Sequence, residues 1–136
     1  SDYYLYNHET GADDGSTSPA QAITAFIESS QFDIGEGDQF SFVRKVIPDL
    51  TFRDSTAIAP AVNLTLQARN FPGGAYLQTG ASAVTRSAVV PVEQFTQDAN
   101  VRLRGRSMSL KVDSSATGVA WRLGAPRIEI RPDGRR

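Results

Sequence analysis

The chain has 136 residues, 40% of them hydrophobic and 21% charged, with a formal net charge of −1. That composition suits one folded globular domain and excludes both a disordered chain and a dedicated basic nucleic-acid binder. There is no cysteine, which excludes disulfides and thiolate chemistry, and no run approaches the roughly 18 apolar residues that a membrane span needs.

The first ten residues are polar apart from Tyr3, Tyr4, Leu5 and Tyr6. They include the single histidine, His8, beside Glu9. A catalytic histidine must be held rigidly between nucleophile and carboxylate, so His8 in this setting reads as a solvated surface residue. DDGS at 13–16 is a turn signal, and a strand is expected over Ala22–Glu28. GEGD at 35–38 is the next turn, followed by a strand over Phe40–Ile47.

Period-two alternation is clearest in AVNLTLQA. Val62, Leu64 and Leu66 alternate there with Asn63, Thr65 and Gln67, the pattern of a half-buried strand. FPGG at 71–74 marks a turn, and PVEQFTQDA at 91–99 reads as a turn of helix or a loop. In NVRLRGRSMSLKVD, Val101 and Leu103 alternate with Arg102 and Arg104. Met108, Leu110 and Val112 then alternate with Ser109 and Lys111, and Gly105 between the two runs suits a bulge or bend. Val119–Leu123 and RIEIR are the last strands expected, and PDG at 132–134 is the last turn. The sum is an all-β chain folded as a single domain, an antiparallel β-sandwich or barrel-like domain of about seven short strands with little helix.

Charge is distributed unevenly. Residues 1–60 hold ten acidic and three basic side chains, whereas residues 101–136 hold three acidic and nine basic ones. Such asymmetry bears on partners and assembly: the ends of successive copies can meet head to tail, or the two ends can neutralise each other within one monomer. Arg102, Arg104 and Arg106 share a strand face if the alternation continues past Gly105, and each guanidinium there wants a carboxylate or phosphate to fork onto. Interleaved Asp113, Glu129 and Asp133, with Trp121 the only aromatic in residues 101–136, favour docking to protein over contact with nucleic acid. Trp121 reads either as a core residue, with Arg122 pointing outward, or as an interface anchor.

The acidic residues Asp33, Glu36 and Asp38 sit on a glycine-rich loop. Hard cations use such carboxylates, but plain turn chemistry accounts for Asp–Gly and Gly–Asp pairs, and no metal site or cofactor is expected. A carboxylate pair such as Glu36 and Asp38 also occurs in glycosidases, but most β-protein surfaces offer one.

Several stretches taken in order carry a resemblance: FIESSQFDIGEGDQFSFVRKVIPDLTF, NLTLQARNFPGGAY, VEQFTQDANVRLRGRSMSLKVDSS and GVAWRLGAPRIEIRPDGRR. Over residues 20 to 136 the chain resembles the C-terminal part of tail-tubular or nozzle proteins, virion structural proteins of short-tailed bacteriophages. The resemblance implies a non-enzymatic β-rich piece of a longer virion protein. It implies a ring, in this family of six copies, that contacts other tail proteins around the channel through which DNA passes without sequence recognition. It supplies no catalytic residues. On this reading Arg102, Arg104, Arg106, Trp121, Arg122, Arg127 and Arg131 form one side of an interface, and Asp33, Glu36 and Asp38 of a neighbour form the other. The alternative is a β-sandwich module at a tail tip that binds a host receptor or glycan through exposed aromatics such as Tyr3, Tyr4, Tyr6 and Phe71.

Overall fold

The computed structural model describes residue 5, residues 11–71 and residues 86–134. The elements in chain order are β1 (Asp13–Asp14), β2 (Gln21–Ala22), β3 (Ala25–Glu28), β4 (Phe32–Asp33), β5 (Ser41–Ile47) and β6 (Leu50–Thr51). They continue with β7 (Ala61–Arg69), β8 (Ser87–Glu93), β9 (Ala99–Gly105), β10 (Ser107–Ser114), β11 (Arg122–Leu123) and β12 (Arg127–Pro132). The described residues thus contain twelve strands rather than about seven, and no helix. The strands expected over Phe40–Ile47, AVNLTLQA, NVRLRGRSMSLKVD and RIEIR are present, whereas Ala22–Glu28 is broken at 23–24 into β2, which pairs with β1, and β3, which pairs with β10. The surplus consists mainly of two-residue bridges, too short to carry a hydrophobic period.

Two antiparallel sheets make the sandwich. One has the order β3–β10–β7–β8, with β4 pairing the same edge of β10 that β3 uses; the other has the order β12–β5–β9. Two-stranded ribbons, β1–β2 and β6–β11, complete the fold. The sequence alternation places Val62, Leu64, Leu66 and Ala68 of β7 beside Met108 and Val112 of β10 on the inner face, all of them buried. Val43 and Val46 of β5, with Ala99, Val101 and Leu103 of β9, close the same core from the other sheet.

Val43 and Val46 are three residues apart, yet both have 0% exposure. The reason is a β-bulge. The pairing of β5 slips by one residue between Val43 and Lys45 against β9, and between Glu129 and Ile130 against β12. Against β12 the extra residue is Arg44, which resets the alternation so that Val46 rather than Lys45 turns inward; against β9 the extra residue lies in β9, between Asn100 and Leu103.

The chain passes from one sheet to the other at Gly105–Arg106. A Cβ on Gly105 would lie 2.7 Å from the Ala68 Cβ and 2.9 Å from the Arg69 carbonyl oxygen, so only glycine lets β9 cross this close to β7. The Arg106 N–H donates to the Arg69 carbonyl (2.8 Å), and the Ile34 N–H donates to the Arg106 carbonyl (3.3 Å), which pins the corner on both sides.

Three local expectations are corrected. Of the two readings of residues 91–99, the loop holds for 94–98 and the helical turn does not: Pro91 lies in the edge strand β8, and the chain then reverses through a turn in which the Thr96 hydroxyl accepts from the Glu93 N–H (3.0 Å). Of Val119–Leu123, only Arg122 and Leu123 are strand, because the Ala120 N–H and carbonyl both bond to the Ser55 hydroxyl (2.9 Å and 2.7 Å) rather than to a neighbouring strand. PDG at 132–134 is not a free turn but an extension of the β12–β5 ladder. The Asp133 N–H donates to the Phe40 carbonyl (2.8 Å), and the Phe40 N–H donates to that of Gly134 (2.7 Å).

Candidate interaction surface

On the outer face of the β12–β5–β9 sheet the pairing register sets Arg131, Phe42 and Arg104 in one row across the three strands. Arg102 lies two residues along β9, exposed, and Arg127 is exposed at the start of β12. Lys45 and Glu129 are paired in the adjacent row. The sequence pattern therefore does gather arginine on one surface, drawn from two strands far apart in sequence.

Arg104 and Arg106 share that side as expected. Their guanidinium carbons lie 4.0 Å and 4.6 Å from the centroid of the Phe40 ring, which is 7% exposed. Stacking on an aromatic face fixes a long side chain and is worth about 0.5–1 kcal/mol per pair at such sites. Arg104 also forms an ion pair through its Nε with Asp133, and its Nη2 donates to the Asp133 carbonyl (3.2 Å). At the same corner the Arg86 Nη1 donates to the Arg104 carbonyl (3.4 Å).

The remaining arginines divide. Arg131 pairs with Glu129 (3.7 Å), and Arg122 pairs with Asp54 (3.5 Å) on the β11–β6 side, away from this face. Arg102 and Arg127 make no ion pair among the described residues. Trp121 is half-buried and packs against the core, where its Nε1 donates to the buried Ser114 hydroxyl (2.9 Å). Of the two readings of Trp121, this geometry is that of the core residue.

Asp33 stands at the end of β4, while Glu36 and Asp38 follow on a loop whose glycines adopt positive φ, +68° at Gly35 and +74° at Gly37. All three carboxylates are exposed, and none forms an ion pair among the described residues. The loop does not lie at the far end of the molecule from the arginines. It leads directly into Phe40, and an open cleft of about 600 Å³ between loop and edge strand is lined by Ile34, Glu36, Asp38, Ser41, Ile130 and Pro132. Ile130 pairs with buried Val43 and Pro132 with buried Ser41, so the cleft opens on the inward side of β12, across the strand from Arg131 and Arg104. Within the described residues no group of three or more His, Asp or Glu side chains is placed to hold a metal ion. No helix there is long and apolar enough to cross a membrane.

One carboxyl has a displaced pKa. Asp14 is held below the ordinary aspartate value by hydrogen bonds from the Ser16 hydroxyl and the Ser16 N–H, the latter at 2.9 Å. It lies on β1, remote in sequence from the arginine face.

Sequence reasoning missed Phe40 and Phe42. Residues 101–136 hold one aromatic, Trp121, whereas the sheet sets β5 between β9 and β12 and brings both rings into the arginine rows. The signal was available in the alternation of FSFV, whose two phenylalanines share a face. Tyr3, Tyr4, Tyr6 and His8, and most of FPGG, lie outside the described residues, while Phe71 is described and 58% exposed. Compared with known proteins, the chain matches no family model, no curated protein and no solved structure.

Proposed function

We propose that this chain is a virion structural module of the phage-tail nozzle class, which works by binding protein through the arginine face of its β12–β5–β9 sheet. The observation that carries the protein-binding part is the convergence of Arg104 and Arg106 on the Phe40 ring, next to exposed Arg102 and the Arg131–Phe42–Arg104 row. Guanidinium groups held on aromatic rings at a sheet surface are organised before a partner arrives, so little side-chain entropy is lost on docking. Arginine and aromatic residues together are also the composition of interface hot spots. The virion assignment itself, with six copies in a ring around a DNA channel, rests on the resemblance of the ordered sequence motifs.

The test is light scattering over a range of protein and salt concentrations, with the double charge reversal Arg102→Glu and Arg104→Glu. A ring-sized mass that falls with added salt and is lost in the double variant supports the reading. A salt-independent monomer, or a ring untouched by the reversals, sinks it.

A further inference from the structure

The edge strand β12 pairs only with β5, so among the described residues its other backbone edge is open. The direction of its amides can be read from one bond. The Asp133 N–H donates inward to the Phe40 carbonyl, and amides alternate along a strand. The bulge at Arg44 belongs to β5, so the alternation in β12 is unbroken. The amides of Arg127, Glu129 and Arg131 therefore face β5, and those of Ile128 and Ile130 face the open edge. Pro132, at the next outward position, has no N–H to leave unpaired, which is where an edge strand tolerates proline.

The side chains along this edge have a particular symmetry. Around Ile130, the residues one step away are Glu129 and Arg131, and those three steps away are Arg127 and Asp133. Charge is antisymmetric about Ile130, and the residues two steps away, Ile128 and Pro132, are apolar on both sides. We propose that β12 is a self-complementary edge, which pairs antiparallel with β12 of a second copy of this chain about a two-fold axis through Ile130.

In that register Ile130 meets Ile130, each Glu129 meets Arg131 of the second copy, and each Arg127 meets Asp133 of the second copy. Ile130 is 37% exposed in the single chain and would be covered by its counterpart. The outward groups of the Ile130 pair exchange two hydrogen bonds, and each Ile128 N–H donates to the Pro132 carbonyl opposite. Arg127 has no ion pair among the described residues of the single chain. The contact is isologous, since the same strand serves both copies.

Neighbouring registers are worse. Centring on Glu129 sets Glu129 against Glu129 and Arg127 against Arg131. Centring on Arg131 sets Arg131 against Arg131 and Glu129 against Asp133. A slip by one residue lays charged side chains over the isoleucines. Charged residues on an edge strand ordinarily deter pairing; here they deter the two registers centred on Glu129 and Arg131, and the register centred on Ile128, which sets Arg127 against Glu129, pairs only residues 127–129 of β12.

This inference does not depend on the virion reading. A two-fold contact closes on itself, so a ring of six would need a second, heterologous surface. The test is sedimentation equilibrium of the 136-residue chain at low salt, with amide hydrogen exchange at Ile128 and Ile130. A dimer with those two amides protected is expected. Arg131→Glu alone and Glu129→Arg alone should each weaken association about tenfold, since two cross-strand pairs turn from attractive to repulsive. The double variant Glu129→Arg/Arg131→Glu restores the antisymmetry and should recover the dimer. Ile130→Pro, which removes an outward amide, should give a monomer with an unchanged circular dichroism spectrum. A folded monomer at all concentrations overturns the proposal. So does a larger species with both amides unprotected, or single reversals without effect or without rescue.

Discussion

Arg104 is stacked on Phe40, its guanidinium carbon 4.0 Å from the ring centroid, while the same side chain pairs with Asp133. The three residues come from β9, the residue before β5 and the residue after β12, so this one arginine ties the outer ends of all three strands together. Arg104→Ala should lower the unfolding free energy by about 1–1.5 kcal/mol, the sum of a partly exposed ion pair and one stacking contact. Asp133→Asn, which removes only the charge, should cost less, and its effect should shrink as salt is raised. Urea unfolding at two ionic strengths checks both. An Arg104→Ala loss no larger than that of Asp133→Asn would show that the stack contributes nothing.

Gly105 tests the sheet-to-sheet corner. With a Cβ placed 2.7 Å from Ala68 and 2.9 Å from the Arg69 carbonyl, Gly105→Ala must push β9 away from β7. The expected cost is about 2–3 kcal/mol, in the range of overpacked cores. Adding Ala68→Gly removes the nearest contact but not the backbone one, so it should recover part of the loss and no more. Full recovery would mean that the carbonyl moves freely, and the corner is then not pinned as its hydrogen bonds indicate.

What could be read from the sequence follows from which interactions have a period. Val62, Leu64 and Leu66 announce β7 because a strand buried on one face must alternate, and Val101, Leu103, Met108 and Val112 announce β9 and β10 for the same reason. Gly105 was placed correctly as a bend, since a lone glycine between alternating runs has few other uses. β8 escaped because Pro91 argues against a strand, and only an edge position tolerates it. The two-residue strands escaped because bridges of that length exist only through their partners. At the candidate surface the arginines were legible, but their aromatic partners were not, because nothing local says that β5 inserts between β9 and β12. Nor did the charge gradient along the chain reveal that the acidic loop sits beside the edge strand β12, since that adjacency is a matter of sheet order.

Asp14 gives a pH prediction with a definite sign. Its folded pKa lies below the ordinary value of 3.8 because the Ser16 hydroxyl and N–H donate to the carboxylate. A depressed carboxyl contributes stability above its unfolded pKa, and that contribution is lost as pH falls from about 3.8 through the lower folded value. Ser16→Ala removes the larger of the two causes, so the Asp14 carboxyl should titrate closer to 3.8 when followed by carboxyl carbon NMR. An unchanged titration in that variant would assign the shift to the backbone N–H alone.

Trp121 and Ser114 separate a core role from an interface role. The indole N–H donates to a serine hydroxyl that is only 4% exposed, so removing either partner strands the other away from water. Trp121→Phe should destabilise the fold by about 1–3 kcal/mol, and Ser114→Ala should cost about 1–2 kcal/mol. The double variant should cost less than the sum by about 1 kcal/mol, since the second removal no longer leaves an unmatched group. If Trp121 were instead an anchor for a partner, Trp121→Phe would weaken association and leave thermal unfolding of the dissociated chain unchanged. Urea unfolding at a protein concentration below any self-association therefore decides between them. The bond to Ser114, and the packing of the indole against Val119 and the rest of the core, predict the loss of stability.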